Sequence, residues 1–462
     1  MRAQTLLDRL WERHRIKTSE DGLDLIHIDR MLLTDLTGTL ALEELDAEGR
    51  AIHSPALLLS TPDHLVSTED GPSDVSTQHR RWVRNLETLS RKAEIPLWSR
   101  GSGRQGIVHV VGLESAYTLP GTTLACGDSH TSTHGAVGAL AWGIGTSEVK
   151  HVLATQTLWM QKPKAARIRL TGVPAPGVYA KDIILWLIGQ LGADWARGHA
   201  VEFSGPTVSA MTIEERATLC NMAIEMSGRF GIVAPDKTTL DYIRGRDLAP
   251  KGSDWHAACE DWRRLRSDPS ATFNMDVEFD ISAIAPQVTW GTSPHQVSSL
   301  TQPIRAKADG DAAALDYIGL APGAVLSETP VDYVFIGSCA NGRLEDLRIA
   351  ADIVRGHRVH PHVKAWIVPG SEVVSRQAEA EGLVDIFKAS GFLWRRPGCS
   401  MCVSVNGDIV PPGKRCVSTS NRNFVGRQGA GARTHLASPA TAAASALTGR
   451  MTDPRQFLME RC

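Results

Sequence analysis

The stretch Tyr333-Val334-Phe335-Ile336-Gly337-Ser338-Cys339 carries the pattern that decides the fold. Four residues of the aromatic and β-branched types that favour strands run directly into a Gly-Ser turn. Three further short apolar runs, at residues 122–125, 365–368 and 416–417, also end in polar or glycine-rich turns, and many of these runs are followed by helical periodicity. This alternation predicts compact α/β domains.

Polar residues follow three of the predicted strands. Asp128-Ser129-His130, Ser338-Cys339 and Ser420-Asn421-Arg422 each begin just past an apolar run. In open α/β sheets, ligands bind beyond the carboxyl ends of the strands. We therefore expect these separate segments to converge on one cleft.

Three cysteines have a spacing that suggests a metal site. Cys339 stands alone, and Cys399 and Cys402 form a C-x-x-C pair that begins 60 residues later. Three thiolates are one fewer than a fully protein-ligated four-iron cluster or a closed zinc site needs, and an open position on a metal can bind substrate. Spacing alone leaves open an iron–sulfur cluster, a zinc site completed by a histidine, and cysteines with a structural or thioredoxin-like role. The remaining cysteines are interpreted as packing residues: Cys126, Cys220, Cys259, Cys416 and Cys462.

Composition indicates an ordinary globular chain. Its 462 residues suffice for two to four domains, and 42% hydrophobic with 22% charged residues is typical of soluble proteins. The net charge of −2 provides no long-range attraction to nucleic acid or to an anionic membrane. The longest apolar run, Ile183–Ile188, is far too short to span a bilayer.

The N-terminus predicts an amphipathic helix rather than a signal peptide. Leu6, Leu7, Leu10 and Trp11 recur at helical spacing among charged residues. Eight scattered cysteines in a chain of this length do not suggest a disulfide framework. We therefore expect a cytoplasmic protein.

Acid–histidine pairs and two arginines suggest acid–base chemistry on an anionic substrate. Asp63-His64 and Asp128-Ser129-His130 place a carboxylate beside an imidazole, which raises its basicity and fixes its tautomer. Arg422 and Arg427 lie five residues apart, and guanidinium groups suit the bidentate binding of carboxylates. Residues 135–145 are rich in glycine but match neither a dinucleotide fingerprint nor a P-loop, so they predict close backbone packing.

Several short motifs, some of them already described, follow one another along the chain. They are Thr61-Pro62-Asp63-His64, Gln105–His109, Cys126–Thr131, Gly143–Glu148, Val201-Glu202-Phe203, Cys220–Glu225, Pro286–Gly291, Ile336–Asn341, Pro397–Cys402 and Ser420–Arg427. From about Leu23 to near the C-terminus this ordered set resembles the aconitase superfamily, and most closely the large subunits of 3-isopropylmalate dehydratases.

The resemblance implies a fold and an activity. The implied fold is three α/β/α domains around a central iron–sulfur cleft. The Pro/Gly-rich stretch at residues 171–177 and the region near residues 282–294 are the expected joints between them. We therefore expect domains over 1–170, 171–290 and 291–462. Its activity is that of a hydro-lyase that isomerises 2-isopropylmalate to 3-isopropylmalate in leucine biosynthesis, or a related alkylmalate, by dehydration and rehydration. In the family a mobile fourth domain comes as a separate small subunit, which would be the partner here.

The resemblance also implies roles for individual residues. Cys339, Cys399 and Cys402 would hold one [4Fe-4S] cluster per subunit. His64 with Asp63 looks like the acid that protonates the leaving hydroxyl, and His109 is similar to a second histidine supported by Asp128. His130 and Glu202 resemble groups near the iron-bound water, and Arg422 and Arg427 resemble substrate-binding arginines.

The chain departs from the family pattern at four positions. Leu40 replaces a usual glutamine, Ala340 a usual threonine, and Thr34 and Asp35 a usual histidine and glutamate. Exchanging polar for apolar groups near a substrate cavity can replace hydrogen-bonding specificity with space. We therefore expect a paralogue that acts on a modified malate, or alternatively a homoaconitase-like or citramalate/maleate-type hydratase. An iron-sensing RNA-binding protein, which the near-neutral charge disfavours, and a catalytically silent subunit are the remaining alternatives.

Overall fold

The computed structural model describes residues 3–69, 75–306 and 309–459. The chain divides into two compact units. The first consists of Met1–Leu65, Thr77–Gly172 and Asp194–Asp280, and the second of Val66–Ser76, Val173–Ala193 and Ile281–Cys462. The chain passes between the units after Leu65, Ser76, Gly172, Ala193 and Asp280. The division into three domains stays a prediction.

Helices occur throughout the described residues. Their bounds are α1 Leu6–His14, α2 Thr37–Ala47, α3 Thr77–Lys92, α4 Val108–Glu114, α5 Thr146–Thr155, α6 Ala180–Leu191, α7 Pro206–Ala210, α8 Ile213–Met222, α9 Lys237–Ile243, α10 Gly252–Trp262, α11 Asp309–Ile318, α12 Ser338–Asn341, α13 Leu344–Val354, α14 Glu372–Ala380, α15 Leu383–Ser390, α16 Pro439–Thr448 and α17 Arg455–Met459. Short 3₁₀ segments occupy Pro55–Leu57, Ser129–Val137, Ala223–Met226, Leu326–Glu328 and Ser400–Cys402.

Most strands are short and alternate with these helices. Their bounds are β1 Arg15–Thr18, β2 Asp24–His27, β3 Arg30–Leu33, β4 Leu58–Ser60, β5 Thr123–Cys126, β6 Leu140–Gly143, β7 Thr157–Met160, β8 Lys164–Thr171, β9 His199–Ser204, β10 Phe230–Ile232, β11 Met275–Asp280, β12 Gln287–Thr289, β13 Val297–Ser299, β14 Tyr333–Ile336, β15 Lys364–Ile367, β16 Leu393–Trp394, β17 Arg415–Ser418 and β18 Arg433–Leu436.

The larger sheets are parallel, as an α/β protein requires. The first unit contains two parallel sheets, of order β4-β3-β5-β6 and β10-β9-β8-β11, and the antiparallel sheet β1-β2-β7. The second unit contains the parallel sheet β16-β15-β14-β17-β18 and the antiparallel pair β12-β13. The predicted α/β class is therefore confirmed.

The decisive stretch of sequence forms the middle strand of the five-stranded sheet. Strand β14 covers the predicted Tyr333–Ile336, pairs in parallel with β15 and β17, and is buried along its whole length. Strands buried on both faces have continuous rather than alternating apolar runs. The sequence therefore needed no alternation to specify this strand.

The predicted N-terminal helix is confirmed as α1. Thr5 Oγ1 accepts a hydrogen bond from the Asp8 backbone N–H, and the Asp8 carboxylate accepts one from the Thr5 backbone N–H, which forms a capping box. Leu6, Leu10 and Trp11 are completely buried along one face. No described helix has the length and apolar character needed to cross a membrane.

The glycine-rich segment forms close backbone contacts, as predicted. A Cβ on Gly135 would overlap the carbonyl oxygen of Gly231 in strand β10, and a Cβ on Gly143 would overlap the carbonyl oxygen of Asp128. Only glycine permits such approaches. Gly143 ends strand β6, so this contact fixes the segment that follows β5.

Candidate active site

Three neighbouring parallel strands of the first unit end at the same edge of their sheet. Asp35 follows β3, Asp63-His64 follows β4 and Asp128 follows β5, and these strands lie in the order β4-β3-β5. Carboxyl ends of parallel strands share one edge, so the topology itself gathers these side chains. We define the histidine group as Asp63, His64, His109, Asp128 and His130.

Asp128 is the centre of the histidine group. Its Oδ1 accepts hydrogen bonds from His109 Nε2 at 2.9 Å and from the His130 backbone N–H at 2.8 Å, and its Oδ2 lies 3.2 Å from His64 Nε2. Burial raises the pKa of Asp128, but its hydrogen bonds to His109, His130 and His64 outweigh burial and hold the pKa well below its usual range. Asp128 is therefore ionised and acts only as an acceptor.

His64 lies between carboxylates on both sides of its ring. Nδ1 is 2.6 Å from Asp63 Oδ1, opposite the contact of Nε2 with Asp128. Burial lowers the pKa of His64, but the charge of Asp63 and the hydrogen bonds with Asp128 and Asp63 raise it well above its usual value. His64 is therefore held as an imidazolium with a proton on each nitrogen.

Asp35, at a position where the chain departs from the family pattern, fixes the backbone at His64. Its oxygens accept the backbone N–H groups of His64 at 3.0 Å and Leu65 at 2.8 Å. Burial and the negative charge of Asp63 raise the pKa of Asp35 to about 6, although His64 partly opposes the shift. The sequence-based list of site residues did not include Asp35.

The acid that contacts His130 is Glu225. Glu225 Oε1 lies 2.9 Å from His130 Nε2, and the side chains of both residues are largely buried. Glu202, which with His130 was expected near the iron-bound water, accepts a hydrogen bond from Ser267 Oγ at 2.6 Å, and that hydroxyl accepts one from the Leu6 backbone N–H at 2.7 Å. Burial raises the pKa of Glu202. Glu225 was visible in the 220–225 motif, but its pairing with a residue 95 positions away was not.

His109 connects Asp128 to a second buried histidine. His109 Nδ1 lies 3.2 Å from His134 Nε2, and His134 Nδ1 lies 2.7 Å from Thr118 Oγ1. The two rings meet edge to face, with centroids 5.3 Å apart and planes at 72°. Sequence reasoning missed His134, which belonged to no motif interpreted as functional.

The second unit contains the cysteine group, which we define as Cys339, Cys399, Cys402 and Asn421. Asn421 lies between two of the thiols: its Nδ2 donates to Cys339 Sγ at 3.4 Å, and its Oδ1 accepts from Cys402 Sγ at 3.5 Å. The Cys402 backbone N–H donates to the Cys399 carbonyl at 3.0 Å, so these two cysteines share one turn. All three thiols are buried, and sequence reasoning gave Asn421 no role of its own.

Backbone strain accompanies the cysteines. Ser338 and Ser400, which adjoin Cys339 and Cys399, have φ angles of 74° and 50°, in the left-handed region that non-glycine residues seldom adopt. Such conformations persist where surrounding contacts enforce them, and they cluster at functional sites.

The two predicted arginines differ in their contacts. Arg427 Nη2 is 4.0 Å from Cys402 Sγ, and its guanidinium lies over the Phe424 ring at 5.4 Å from the centroid. Its buried Nε has no hydrogen-bond partner among the described residues. Arg422 is half-buried and adjoins Asn421. Arg427 therefore contacts a cysteine sulfur through Nη2 and keeps a second, buried donor, Nε, without a protein partner among the described residues.

A buried lysine joins the segments that carry the cysteine group. Lys181 of α6 is completely buried, and its Nζ donates to Asn341 Oδ1 at 3.2 Å, Thr419 O at 3.0 Å and Ser420 O at 2.7 Å. Asn341 follows Cys339 by two residues, and Ser420 precedes Asn421. Hydrogen bonding of this kind is what allows a cation to be buried.

The donor set of the cysteine group fits an iron–sulfur cluster. Soft thiolate ligands are characteristic of such clusters, all three thiols are buried, and Arg427, whose buried Nε lacks a hydrogen-bond partner among the described residues, contacts the thiol of Cys402 through Nη2. The histidine group belongs to the first unit and the cysteine group to the second.

Comparison with known proteins identifies the class. A model of the Aconitase family (aconitate hydratase) matches residues 8–449, so this chain belongs to the aconitase family. Membership of this family implies an iron–sulfur cluster.

Two individual proteins are also similar to this chain. The chain is 50% identical over 468 residues to 3-isopropylmalate dehydratase large subunit 1 of Bradyrhizobium diazoefficiens (strain USDA 110), an alignment that covers 100% of this chain and 98% of that protein. Among solved structures it is similar to the holo-form of Thermococcus kodakaraensis aconitase X, with 11% identity, a TM-score of 0.47 and coverage of 86% and 84% of the two chains.

Proposed function

We propose that this chain is the large subunit of a [4Fe-4S] hydro-lyase that isomerises 2-isopropylmalate to 3-isopropylmalate. The observation that carries the proposal is the 50% identity, along the full length, to a 3-isopropylmalate dehydratase large subunit. The enzyme would work with a small subunit, as the relative's name implies, and in the cytoplasm, where buried free thiols stay reduced.

The reaction removes water from two adjacent carbons and adds it back so that the hydroxyl is on the other carbon. Hydroxide is a poor leaving group, so its oxygen must be protonated or bound to a Lewis acid as the carbon–oxygen bond breaks. Cys339, Cys399 and Cys402 would hold the cluster, which when bound supplies a Lewis acid for the substrate hydroxyl. We assign removal of the carbon-bound proton to the small subunit.

His64 is proposed to deliver the proton to the leaving hydroxyl. It has two N–H groups, and the contact of Nε2 with Asp128 at 3.2 Å is longer than that of Nδ1 with Asp63 at 2.6 Å. The Nε2 proton is therefore held less strongly. After it leaves, Asp63 still binds Nδ1–H, so a bare Nε2 remains that accepts the proton again when water adds to the enoate.

The remaining residues are assigned to water and to the carboxylates. His130, with Glu225 at 2.9 Å from its Nε2, has a fixed ring that can exchange a proton with the water released. Arg422 and Arg427 are proposed to bind the substrate carboxylates, and the unpartnered Nε of Arg427 supports this role.

A related alkylmalate is the second candidate substrate, favoured by two departures from the family pattern. Leu40 lies half-buried on α2 where a glutamine is usual, and Ala340 is completely buried one residue after Cys339. A panel of 2-substituted malates distinguishes the two: clear preference for 2-isopropylmalate removes the alternative.

The decisive experiment is anaerobic reconstitution of the full-length chain with iron, sulfide and the small subunit, followed by ultraviolet detection of the enoate. We expect enoate from 2-isopropylmalate or a close analogue, and a fall of about 10²- to 10⁴-fold in kcat for His64→Gln, the range typical of a lost general acid. A cluster-loaded complex that forms no enoate from any alkylmalate contradicts the proposal.

A further inference from the structure

His134 is completely buried, yet each of its ring nitrogens has a polar partner. Nε2 faces His109 Nδ1 at 3.2 Å, and Nδ1 faces Thr118 Oγ1 at 2.7 Å. His109 Nε2 in turn donates to Asp128 Oδ1 at 2.9 Å. Thr118, His134, His109 and Asp128 therefore form one continuous hydrogen-bonded chain, and we call it the relay.

The partners fix where each proton of the relay lies. Ionised Asp128 is only an acceptor, so His109 must carry its proton on Nε2. When both rings are neutral, His109 then has a bare Nδ1, and the 3.2 Å contact to His134 requires a proton on His134 Nε2. Neutral His134 is left with a bare Nδ1, which accepts the Thr118 hydroxyl proton. With both rings neutral, no other arrangement satisfies every contact.

The relay also limits what His109 can do. Both of its ring nitrogens are bonded to protein partners, one to Asp128 and one to His134. His109 therefore acts through Asp128, whose other oxygen contacts the His64 Nε2 that carries the proton proposed to be transferred.

We propose that His134 is a positioning residue that fixes the tautomer of His109, and through it keeps Asp128 an ionised acceptor for His64. Without the His134 donor, His109 can adopt the other tautomer and turn a bare Nε2 toward the Asp128 carboxylate. Two acceptors then face each other, which disfavours the ionised form of Asp128. The effect on turnover rests on the proposed function, whereas the effect on the tautomer does not.

The test compares two substitutions of His134 in the full-length chain. His134→Gln retains an N–H donor for His109 and an oxygen that accepts from Thr118, whereas His134→Leu fills the space without either. Ring ¹⁵N spectra of protein labelled with [¹⁵N]histidine report the tautomer of His109, once its signals are assigned with His109→Gln. We expect the Nε2–H form in the unmodified protein and in His134→Gln, and a mixture of both forms in His134→Leu.

Turnover with the small subunit provides the second readout. We expect kcat to fall about 10- to 100-fold in His134→Leu with KM within about twofold, the range typical for loss of a residue that orients a functional group, and to recover largely in His134→Gln. The tautomer needs neither cluster nor substrate, so inactivity of every form of the complex counts against the proposed function and leaves the relay standing.

Two further variants distinguish an effect on the His109 tautomer from a general effect of the substitution on the structure. His435→Gln replaces another completely buried histidine, whose nitrogens contact Arg415 and the Thr289 carbonyl, and it should leave the His109 signals unmoved. If His134→Leu fails to fold, Thr118→Val removes only the hydroxyl of the relay, and we expect the second tautomer as a minor species. An unchanged His109 tautomer in the folded His134→Leu protein, or in Thr118→Val when it stands in, overturns the proposal.

Discussion

Two buried glutamates of the first unit have different partners, and those partners predict different roles. Glu225 contacts His130 at 2.9 Å, whereas Glu202 contacts Ser267 at 2.6 Å. We expect Glu225→Gln to lower kcat by about 10²-fold, because a neutral amide no longer supports proton exchange at His130. Glu202→Gln should change kcat by less than about threefold, within the range of an indirect effect.

Steady-state kinetics of the reconstituted complex, with circular dichroism to verify folding, measure both variants. A larger loss in Glu202→Gln than in Glu225→Gln would support the role near the iron-bound water that the family resemblance implied for Glu202.

A buried acid of the second unit makes stability depend on pH. Asp182 accepts the backbone N–H groups of Tyr179 at 3.0 Å and Gln287 at 2.9 Å, and burial raises its pKa to about 7. In the unfolded chain the pKa is about 3.9, so between these values the folded state binds more protons. The free energy of unfolding therefore decreases as pH rises from about 4 to 7, by up to roughly 1.4 kcal/mol per pH unit from this group.

Asp182→Asn removes the ionisation and should flatten this part of the profile. Urea unfolding of both proteins at several values between pH 4.5 and pH 8 gives the slopes. Parallel slopes in the two proteins would mean that Asp182 does not titrate in this range.

Residue identities were easier to predict from the sequence than residue pairs. Cys339, Cys399 and Cys402 and the acid–histidine pairs stand in recognisable motifs. The contacts of Asn421 with two thiols, and of Glu225 with His130, join residues 19 to 95 positions apart. Such pairs depend on how strands are ordered in sheets, which short-range periodicity does not specify.

At the scale of elements, short strands with continuous apolar runs were the most predictable. The apolar runs at 122–125, 333–336, 365–368 and 416–417 correspond to β5, β14, β15 and β17, with bounds that differ by no more than one residue. The order of the strands within a sheet was not predictable. In one sheet of the first unit, β8, β9 and β10 are successive neighbours, but β11 pairs with the other side of β8. Strand order depends on crossover contacts that lie outside any local window.

One glycine connects the sheet of the first unit to the histidine group. A Cβ on Gly143 would overlap the carbonyl oxygen of Asp128, whereas a Cβ on Gly145 would have no atom nearer than Glu148 Oε2 at 3.8 Å. We expect Gly143→Ala to displace Asp128, lower the free energy of unfolding by about 1 to 3 kcal/mol, and reduce kcat. Gly145→Ser, which adds a favourable helix N-cap to α5, should leave both within error or raise stability slightly.

Chemical denaturation and kinetics of the two variants test this difference. Equal tolerance of both substitutions would show that the Asp128 segment can move without cost.

For the whole molecule, the ordered motifs predicted the class, through their resemblance to a known family, but not the substrate. The family model that matches residues 8–449 confirms this prediction. Substrate specificity depends on a few side-chain contacts, which the order of the motifs does not reveal. The roles given to the site residues stay predictions, because the partners that complete them are a cluster, a substrate and a second subunit.

Removal of iron should lower the stability of the chain through binding linkage. A ligand that binds the folded but not the unfolded state stabilises it by about 2.7 kcal/mol at a hundredfold excess over its dissociation constant. An increase of about 1 kcal/mol in the free energy of unfolding raises the melting temperature of a domain of 150–250 residues by roughly 2 to 4 °C. We therefore expect anaerobic loading with iron and sulfide to raise the melting temperature by several degrees, and chelation to reverse the rise.

Two cysteines from one hydrophobic cluster make a matched pair for this experiment. Cys402 and Cys416 are both buried beside Phe335 and Met401, but only Cys402 contacts Asn421 through sulfur. Cys402→Ser should abolish the rise in melting temperature together with the bound iron. Cys416→Ala should lower the melting temperature of the loaded and unloaded forms alike, by the cost of a small cavity, and retain the rise. Iron binding that survives Cys402→Ser but not Cys416→Ala would exclude the cysteine group as the site of the cluster.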